Sequence, residues 1–358
     1  MISFGIVGAG WRAVFYLRVA RACPDKFKVI GMVTRDRHKA ARLTEQFGVP
    51  LFGSVDELLA GAQPFFMVTS VPVAVNPGVI GSLVKARIPV LSETPPAATL
   101  QELTGLWALV KDRGRVQVAE QYWLQPHYAA RLAFIRTGKL GLPSQAQISV
   151  AHGYHGISLM RQFLKIGFEN ATILARDFTT ALVQSPDRSG PPAQESIVNS
   201  TQTLSWFDFG DRLGIYDFTE DQYFSYMRGP RLLVRGERGE IVNDTAVYLQ
   251  DFRTPILVAF TRHSAGEQGS MEGHYLKGIQ AGEEWVYHNP LAPGELTDDE
   301  VAVGTCLLKM AEYAQGGPPF YSLAQGCQDR YLDLMLQSAQ AQGQPATTET
   351  QAWADEAG

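Results

Sequence analysis

Ile2-Ser3-Phe4-Gly5-Ile6-Val7 runs straight into Gly8-Ala9-Gly10-Trp11-Arg12-Ala13, and these twelve residues decide how the chain is read. The first six form a short apolar run of strand type. The next six match G-x-G-x-x-A and open into the helical stretch Ala13 to Ala22. In such a strand-turn-helix unit, Gly8 permits the tight turn, Gly10 lets backbone approach a pyrophosphate, and Ala13 keeps helix and strand close. The helix N-terminus then faces the anion. An ordinary tight turn is the plain alternative, but placement after a strand and before a helix favours the phosphate cradle. Gly8, Ala9, Gly10, Trp11 and Arg12 are therefore expected to bind a dinucleotide.

About 20 residues beyond the motif, an NAD site normally carries Asp or Glu for the ribose hydroxyls. Thr34 and Arg35 stand there instead. A hydroxyl and a guanidinium suit a 2′-phosphate that a carboxylate would repel. The expected cofactor is NADP, with NAD possible, and Arg12 is expected to add positive charge near the same phosphate. The alternative for residues 35–39 is a solvated helix start capped by Asp36.

Outward from this unit, strand candidates Phe27 to Thr34, Phe65 to Ser70, Val90 to Glu93 and Val116 to Glu120 alternate with helical stretches Lys39 to Phe47 and Asn76 to Ala86, with Asp56 to Leu59 weaker. That alternation predicts an α/β chain whose N-terminal part, residues 1–121, is a Rossmann doubly wound parallel sheet. Residues 122–345 change texture, with strands following one another at Gln145 to Ala151, Thr201 to Phe209, Arg212 to Phe218, Arg231 to Arg235 and Pro255 to Arg262. Gly210-Asp211 is expected to close a hairpin with positive backbone angles. Gln184 to Gln194 reads as a loop, helical spacing returns at Asp299 to Ala314 and Ser322 to Ala339, and residues 346–358 form a polar tail expected to fray. The second part is expected to be α+β, on a large open-faced, mainly antiparallel sheet.

The 358 residues are 45 % hydrophobic and 19 % charged, with a formal charge of −5. This composition argues for packed domains and against disorder. It gives no general attraction for nucleic acid or anionic lipid, so a small-molecule substrate is the expected partner. Cys23, Cys306 and Cys327 share no CxxC spacing, and His127, His263, His274 and His288 occur singly, so no metal site is expected. No apolar run reaches membrane-spanning length and no signal-like start is present, so the expected location is cytoplasmic.

Ligands of open α/β sheets lie at the carboxyl ends of the strands, which puts Ser70-Val71-Pro72 and Ser92-Glu93-Thr94-Pro95-Pro96 in the cofactor cleft. With the glycine motif, the Pro72 loop, Glu93-x-Pro95, Glu120-Gln121-Tyr122, a later histidine and Gly236 to Ile241, the chain resembles the glucose-fructose oxidoreductase / inositol dehydrogenase / MocA family. The resemblance implies a Rossmann domain, a second domain on an open sheet, a nicotinamide cofactor and a hydroxyl-bearing substrate, often a sugar or cyclitol. It also implies a Glu-Lys-Pro lysine that polarises the substrate oxygen and a histidine that exchanges its proton. Thr94 takes the lysine position here, and a neutral hydroxyl cannot supply that cation.

The segment Ala151-His152-Gly153-Tyr154-His155-Gly156-Ile157-Ser158 looks like the family's histidine segment, with His155 in the catalytic place, Ser158 where Asp is usual, and Ala151 where a second Asp is frequent. His155, Thr94 and Tyr154 are the expected catalytic residues, with Tyr154 or His152 replacing the missing lysine. The plain alternative is one histidine bonded to a backbone carbonyl and the other exposed. Glu93, Thr94 and Gln121 are expected beside the cofactor. Tyr122, Trp123, His152 and His155 are expected beside the substrate, though Tyr122 and Trp123 equally suit a core. Asp221-Gln222-Tyr223 has one sheet face that could meet substrate.

These features predict an NAD(P)-dependent oxidoreductase, NADP favoured, moving hydride between the nicotinamide and a hydroxyl or keto group of a polyhydroxylated substrate. The alternatives are a nicotinamide-binding protein without turnover and a hydrolase or lyase with transient cofactor redox. An open apolar sheet face is expected to make the protein a homodimer or homotetramer through the C-terminal sheet.

Overall fold

The computed structural model describes residues 1–34, 36–112, 114–266 and 273–357; the side chains of residues 37–39 and 356–357 lie outside that description. The first sheet contains β1 (Ile2–Val7), β2 (Phe27–Val33), β3 (Leu51–Phe52), β4 (Phe66–Thr69), β5 (Val90–Ser92) and β6 (Val116–Val118). Its helices are α1 (Trp11–Ala22), α2 (Arg37–Phe47), α3 (Val55–Gly61), α4 (Asn76–Lys85) and α5 (Leu100–Val110). All pairs are parallel in the order β3-β2-β1-β4-β5-β6. Strand order reverses between β1 and β4, which is the switch point of a doubly wound sheet. The continuous apolar runs follow from helices on both faces: Phe4, Ile6, Phe66, Val68 and Leu91 are buried. Helix α5 is announced by a Thr99-x-x-Glu102 capping box, which closes at both ends.

The later elements are α6 (Pro126–Arg136), β7 (Pro143–Ser149), α7 (Gly153–Leu164), β8 (Thr172–Val183), β9 (Ile197–Asp208), β10 (Leu213–Phe218), β11 (Arg231–Gly236), β12 (Gly239–Val242), β13 (Thr245–Asp251), β14 (Thr254–Ala265), β15 (Tyr275–Ala281), β16 (Glu284–His288), α8 (Asp298–Ala314), α9 (Leu323–Gln342) and β17 (Ala346–Thr347). The second sheet runs β16-β15-β14-β13-β12-β11-β7-β10-β9-β8-β17. Strands β7 and β10 are parallel, whereas β8–β9, β9–β10, β7–β11 and β11–β12 are antiparallel. The hairpin between β9 and β10 turns at Gly210, whose φ is +94°; only the glycine of Gly210-Asp211 takes a positive angle. That corrects the expectation of two, and a single positive first position is the signature of a II′ turn.

Two compact units result, and the chain does not divide at one point. The first unit comprises Met1–Tyr128, Arg262–Gly278 and Tyr287–Cys327; the second comprises Ala129–Thr261, Ile279–Val286 and Gln328–Gly358. Within the first, Ala302, Val303, Cys306, Leu307 and Met310 of α8 share a core with Ala13, Tyr16 and Leu17 of α1. Apolar helical spacing in α8 therefore serves the parallel-sheet unit, although its sequence position places it far along the chain. In the second unit, Ile173, Ala175 and Phe207 face inward while their strand neighbours Leu174, Phe178, Leu204 and Trp206 are exposed, so one sheet face is open. Among the described residues, no helix is long and apolar enough to cross a membrane.

From Ala346 to Trp353 the polar tail is packed rather than frayed. β17 pairs with β8, Trp353 is fully buried, and its Nε1 donates to Gln328 Oε1 at 2.8 Å. One large ring supplies the apolar area that the polar tail residues lack, and strand pairing satisfies the backbone. Replacing Trp353 by Ala is expected to cost about 3–5 kcal/mol. Chemical denaturation reads this as a lower midpoint; an unchanged midpoint would show that the tail adds nothing to packing.

Candidate functional site

The glycine turn is built by contact between β1, β4 and α1. Gly8 has φ +115°, its N–H donates to Val33 O at 2.8 Å, and a Cβ there would stand 2.0 Å from Ser70 O. Only glycine fits both the angle and the approach. Gly10 is the N-cap of α1 in extended geometry, and no side chain caps the helix. No acidic residue occupies the first turn. A Cβ on Gly10 would meet only Ser70 O, at 3.9 Å, so the space over the helix start is open. Uncapped amides at the positive end of a helix fit a pyrophosphate. These are the features a dinucleotide cofactor requires, and Gly8, Ala9, Gly10 and Trp11, the last 53 % exposed, surround them.

Arg12 behaves differently from its expected role. Its guanidinium turns inward, with Nε donating to Glu93 Oε1 at 3.2 Å and Nη1 to Asp299 Oδ2 at 2.8 Å, and it lies 4.7 Å from the Phe15 ring centre. Tyr16, one helical turn on, donates to the same Glu93 oxygen at 2.5 Å. Burial works against the Arg12 charge, but Glu93 and Asp299 outweigh it and hold the group cationic. Burial and Glu93 together push the Tyr16 phenol upward. Where the sequence reading puts Arg12 near a 2′-phosphate, the structure pairs its guanidinium with Glu93 and Asp299. The Arg12 to Tyr16 spacing of i and i+4 is visible in sequence, whereas Asp299 is not.

At the end of β2, Thr34 Oγ1 accepts the Asp36 N–H at 3.2 Å. Arg35 lies outside the described residues. Ser70 is buried, with its N–H donating to Val7 O at 2.8 Å, while Val71 is half-buried and Pro72 exposed. Thr94 is half-buried; its N–H donates to Glu93 Oε2 at 3.4 Å, and the Thr94–Pro95 peptide is cis. Gln121 is buried with Oε1 unpartnered. Tyr122 takes a backbone bond to Glu120 Oε1 at 3.0 Å. Trp123 packs against the first unit's core, its ring 6.3 Å from that of Tyr321.

The second unit gathers the aromatic and imidazole groups. His152 is the N-cap of α7, and its carbonyl accepts the N–H groups of His155 and Gly156 at 3.0 and 3.1 Å. The His152 ring is exposed and lies edge-on to His155 at 4.7 Å; the His155 side chain is buried. Tyr154 is also buried, packed edge-on against His155 at 5.3 Å, so it supports that imidazole instead of presenting its hydroxyl at the surface. Tyr223 OH meets both His152 Nδ1 at 2.7 Å and the His152 N–H at 2.9 Å. A Cβ at Gly153 would stand 2.1 Å from Asp333 Oδ1, so the first turn of α7 has a carboxylate against it. Although His152 keeps exposed surface, the protein around its ring and the nearby His155 push its pKa down to about 4, against the opposing charges of Asp333 and Glu220. Its position at the helix N-terminus acts in the same direction. Asp333 gave no sequence signal because α9 is remote in the chain. Among the described residues, no group of three or more His, Cys, Asp or Glu side chains is arranged to hold a metal ion.

Residues 2–122 match the model of a family described as oxidoreductase family, NAD-binding Rossmann fold. Over 105 residues, 28 % of the chain, the sequence is 30 % identical to the Saccharomyces cerevisiae protein YMR315W, and the chain spans 30 % of that relative's length. Solved structures share the fold across nearly the whole chain. A levoglucosan dehydrogenase in complex with NADH is 15 % identical, with TM-score 0.68 and coverage of 98 % of this chain and 100 % of that one. An Agrobacterium radiobacter oxidoreductase in complex with NAD+, L-tartaric acid and magnesium is 15 % identical, with TM-score 0.66 and coverage of 96 % and 98 %. The Bordetella pertussis WlbA dehydrogenase in complex with NADH and UDP-GlcNAcA is 13 % identical, with TM-score 0.64 and coverage of 98 % and 99 %.

Arg12→Met is expected to destabilise the fold by about 3–5 kcal/mol, because Glu93 and Asp299 lose their partly buried cation. Adding Glu93→Gln should recover part of the loss. Neither change should alter discrimination between NAD and NADP; calorimetry showing selective loss of NADP binding in Arg12→Met would return Arg12 to the phosphate.

Proposed function

We propose that this chain, which through residues 2–122 belongs to the Gfo/Idh/MocA oxidoreductase family with the NAD-binding Rossmann fold, transfers hydride between a nicotinamide dinucleotide and a hydroxyl or keto carbon of a small polyhydroxylated substrate. The observation that carries this reading is the uncapped start of α1 over an open glycine turn. Its amides bind the pyrophosphate, Gly8 holds the turn, and Ser70, Val71 and Pro72 follow from the neighbouring strand end. Thr34, a neutral residue where an NAD site carries a carboxylate, supports NADP over NAD. When bound, the cofactor supplies the hydride chemistry.

The second unit supplies groups able to exchange the substrate proton. His152 and His155 form the imidazole pair, with Tyr154 packed beside His155 and Tyr223 bonded to His152. An imidazole is the side chain suited to this task near neutral pH. L-sorbose and levoglucosan in levoglucosan dehydrogenase complexes, UDP-GlcNAcA and L-tartaric acid, each bound by a structure of the same fold, support the substrate class. The exposed row of Leu174, Phe178, Leu204 and Trp206 supports a second copy of the chain pairing through the open sheet face.

Thr94 favours a second reading, a nicotinamide-binding protein without dehydrogenase turnover, because its hydroxyl offers no cation to a developing alkoxide. One experiment separates the two. Calorimetry is expected to show NADP binding, and incubation with sugars and cyclitols to yield reduced cofactor. Gly10→Ala leaves the fold unstrained, since φ is −71° and the nearest atom is 3.9 Å away. It should nevertheless weaken cofactor binding about tenfold or more by filling the anion's approach. Binding without reduction across the panel selects the second reading; no binding of either coenzyme overturns both.

A further inference from the structure

The contact between Tyr223 and His152 joins one phenol oxygen to two nitrogens of the same residue. Tyr223 ends a short 3-10 turn, Glu220–Tyr223, whose capping box is closed by Thr219 and Gln222. Gln222 Nε2 also donates to Ser149 Oγ and to Gly229 O, both at 3.1 Å, tying the turn to the end of β7. The Tyr223 ring packs edge-on against Phe218 at 5.1 Å. The phenol is thus held by its backbone and its ring.

Its oxygen accepts the His152 backbone N–H at 2.9 Å, which occupies a lone pair. A phenol has one proton to give, and His152 Nδ1 stands 2.7 Å away. We propose that Tyr223 is a positioning residue that donates to His152 Nδ1 and so fixes the tautomer with the proton on Nε2, making His152 a neutral N–H donor to the substrate oxygen. The role in turnover rests on the oxidoreductase reading above; the tautomer does not.

The surroundings fit a neutral ring. His155 on the same helix and Arg188 in the loop after β8 oppose a positive charge, while Asp333 of α9 and Glu220 of the turn favour it; burial adds to the first pair and prevails. A neutral imidazole can polarise a substrate oxygen without first being protonated, so its action does not depend on titration near neutrality. In this role His152 donates a hydrogen bond to the substrate oxygen and does not itself take the substrate proton.

Nitrogen-15 labelling and long-range proton–nitrogen spectra test this on the intact protein, with His152→Gln assigning the signals. In the wild type, His152 is expected to be neutral, protonated on Nε2, and to show no titration between about pH 5.5 and 8. Tyr223→Phe keeps the ring packing and should convert the signal to a tautomer mixture. With a substrate in hand, it should also lower kcat about tenfold or more while moving KM less. A wild-type proton on Nδ1, titration of His152 near neutrality, or an unchanged tautomer in folded Tyr223→Phe would overturn the proposal. Absence of redox turnover would count against the oxidoreductase reading alone, since the spectra decide the tautomer without substrate.

Discussion

The guanidinium of Arg12, closed between Glu93 and Asp299, ties together the glycine turn, the end of β5 and the start of α8. Three chain segments far apart in sequence meet on one cation. Removing its hydration is tolerable only because both carboxylates and the Phe15 face replace water. The consequence reaches the turn itself: α1 cannot rotate without breaking the pair, so the amides at its start keep one direction. Orientation of the cradle is thereby an electrostatic property as well as a steric one.

A different solution operates at the start of α7. There the first turn has Asp333 pressed against Gly153, and two imidazoles stand together with no matching pair of carboxylates on their own helix. Like charges at 4.7 Å between ring centres would repel, so the arrangement favours uncharged rings. Hydrogen bonding, rather than ion pairing, then sets which nitrogen carries a proton. Tyr223 is placed for this by a turn whose bonds run to backbone and to Ser149.

Much of the fold could be read from residues 2 to 120, because parallel strands buried on both faces leave dense apolar runs and the glycine motif marks where β1 ends. Strand β3, with two residues, leaves no pattern to find. Helix α5 carried its capping-box signal at Thr99 and Glu102. In the second unit, β8 alternates buried and exposed residues only in its first half, and from Asp177 onward neither face is buried. Period-two reading fails where burial is absent. The histidine segment was legible, but the distinction between an exposed His152 and a buried His155 comes from packing on α7. Asp299 and Asp333 approach from helices far along the chain, a relation that only the folded backbone creates.

Helix α8 supplies Ala302, Val303, Cys306, Leu307 and Met310 to the same core as α1. The parallel-sheet unit therefore lacks part of its interior until the chain has been made through Ala314. During synthesis, the apolar side of α1 emerges from the ribosome long before its cover. A nascent chain of this protein has to shield that side by other means until α8 follows, and the second unit waits longer still, for β17 and Trp353.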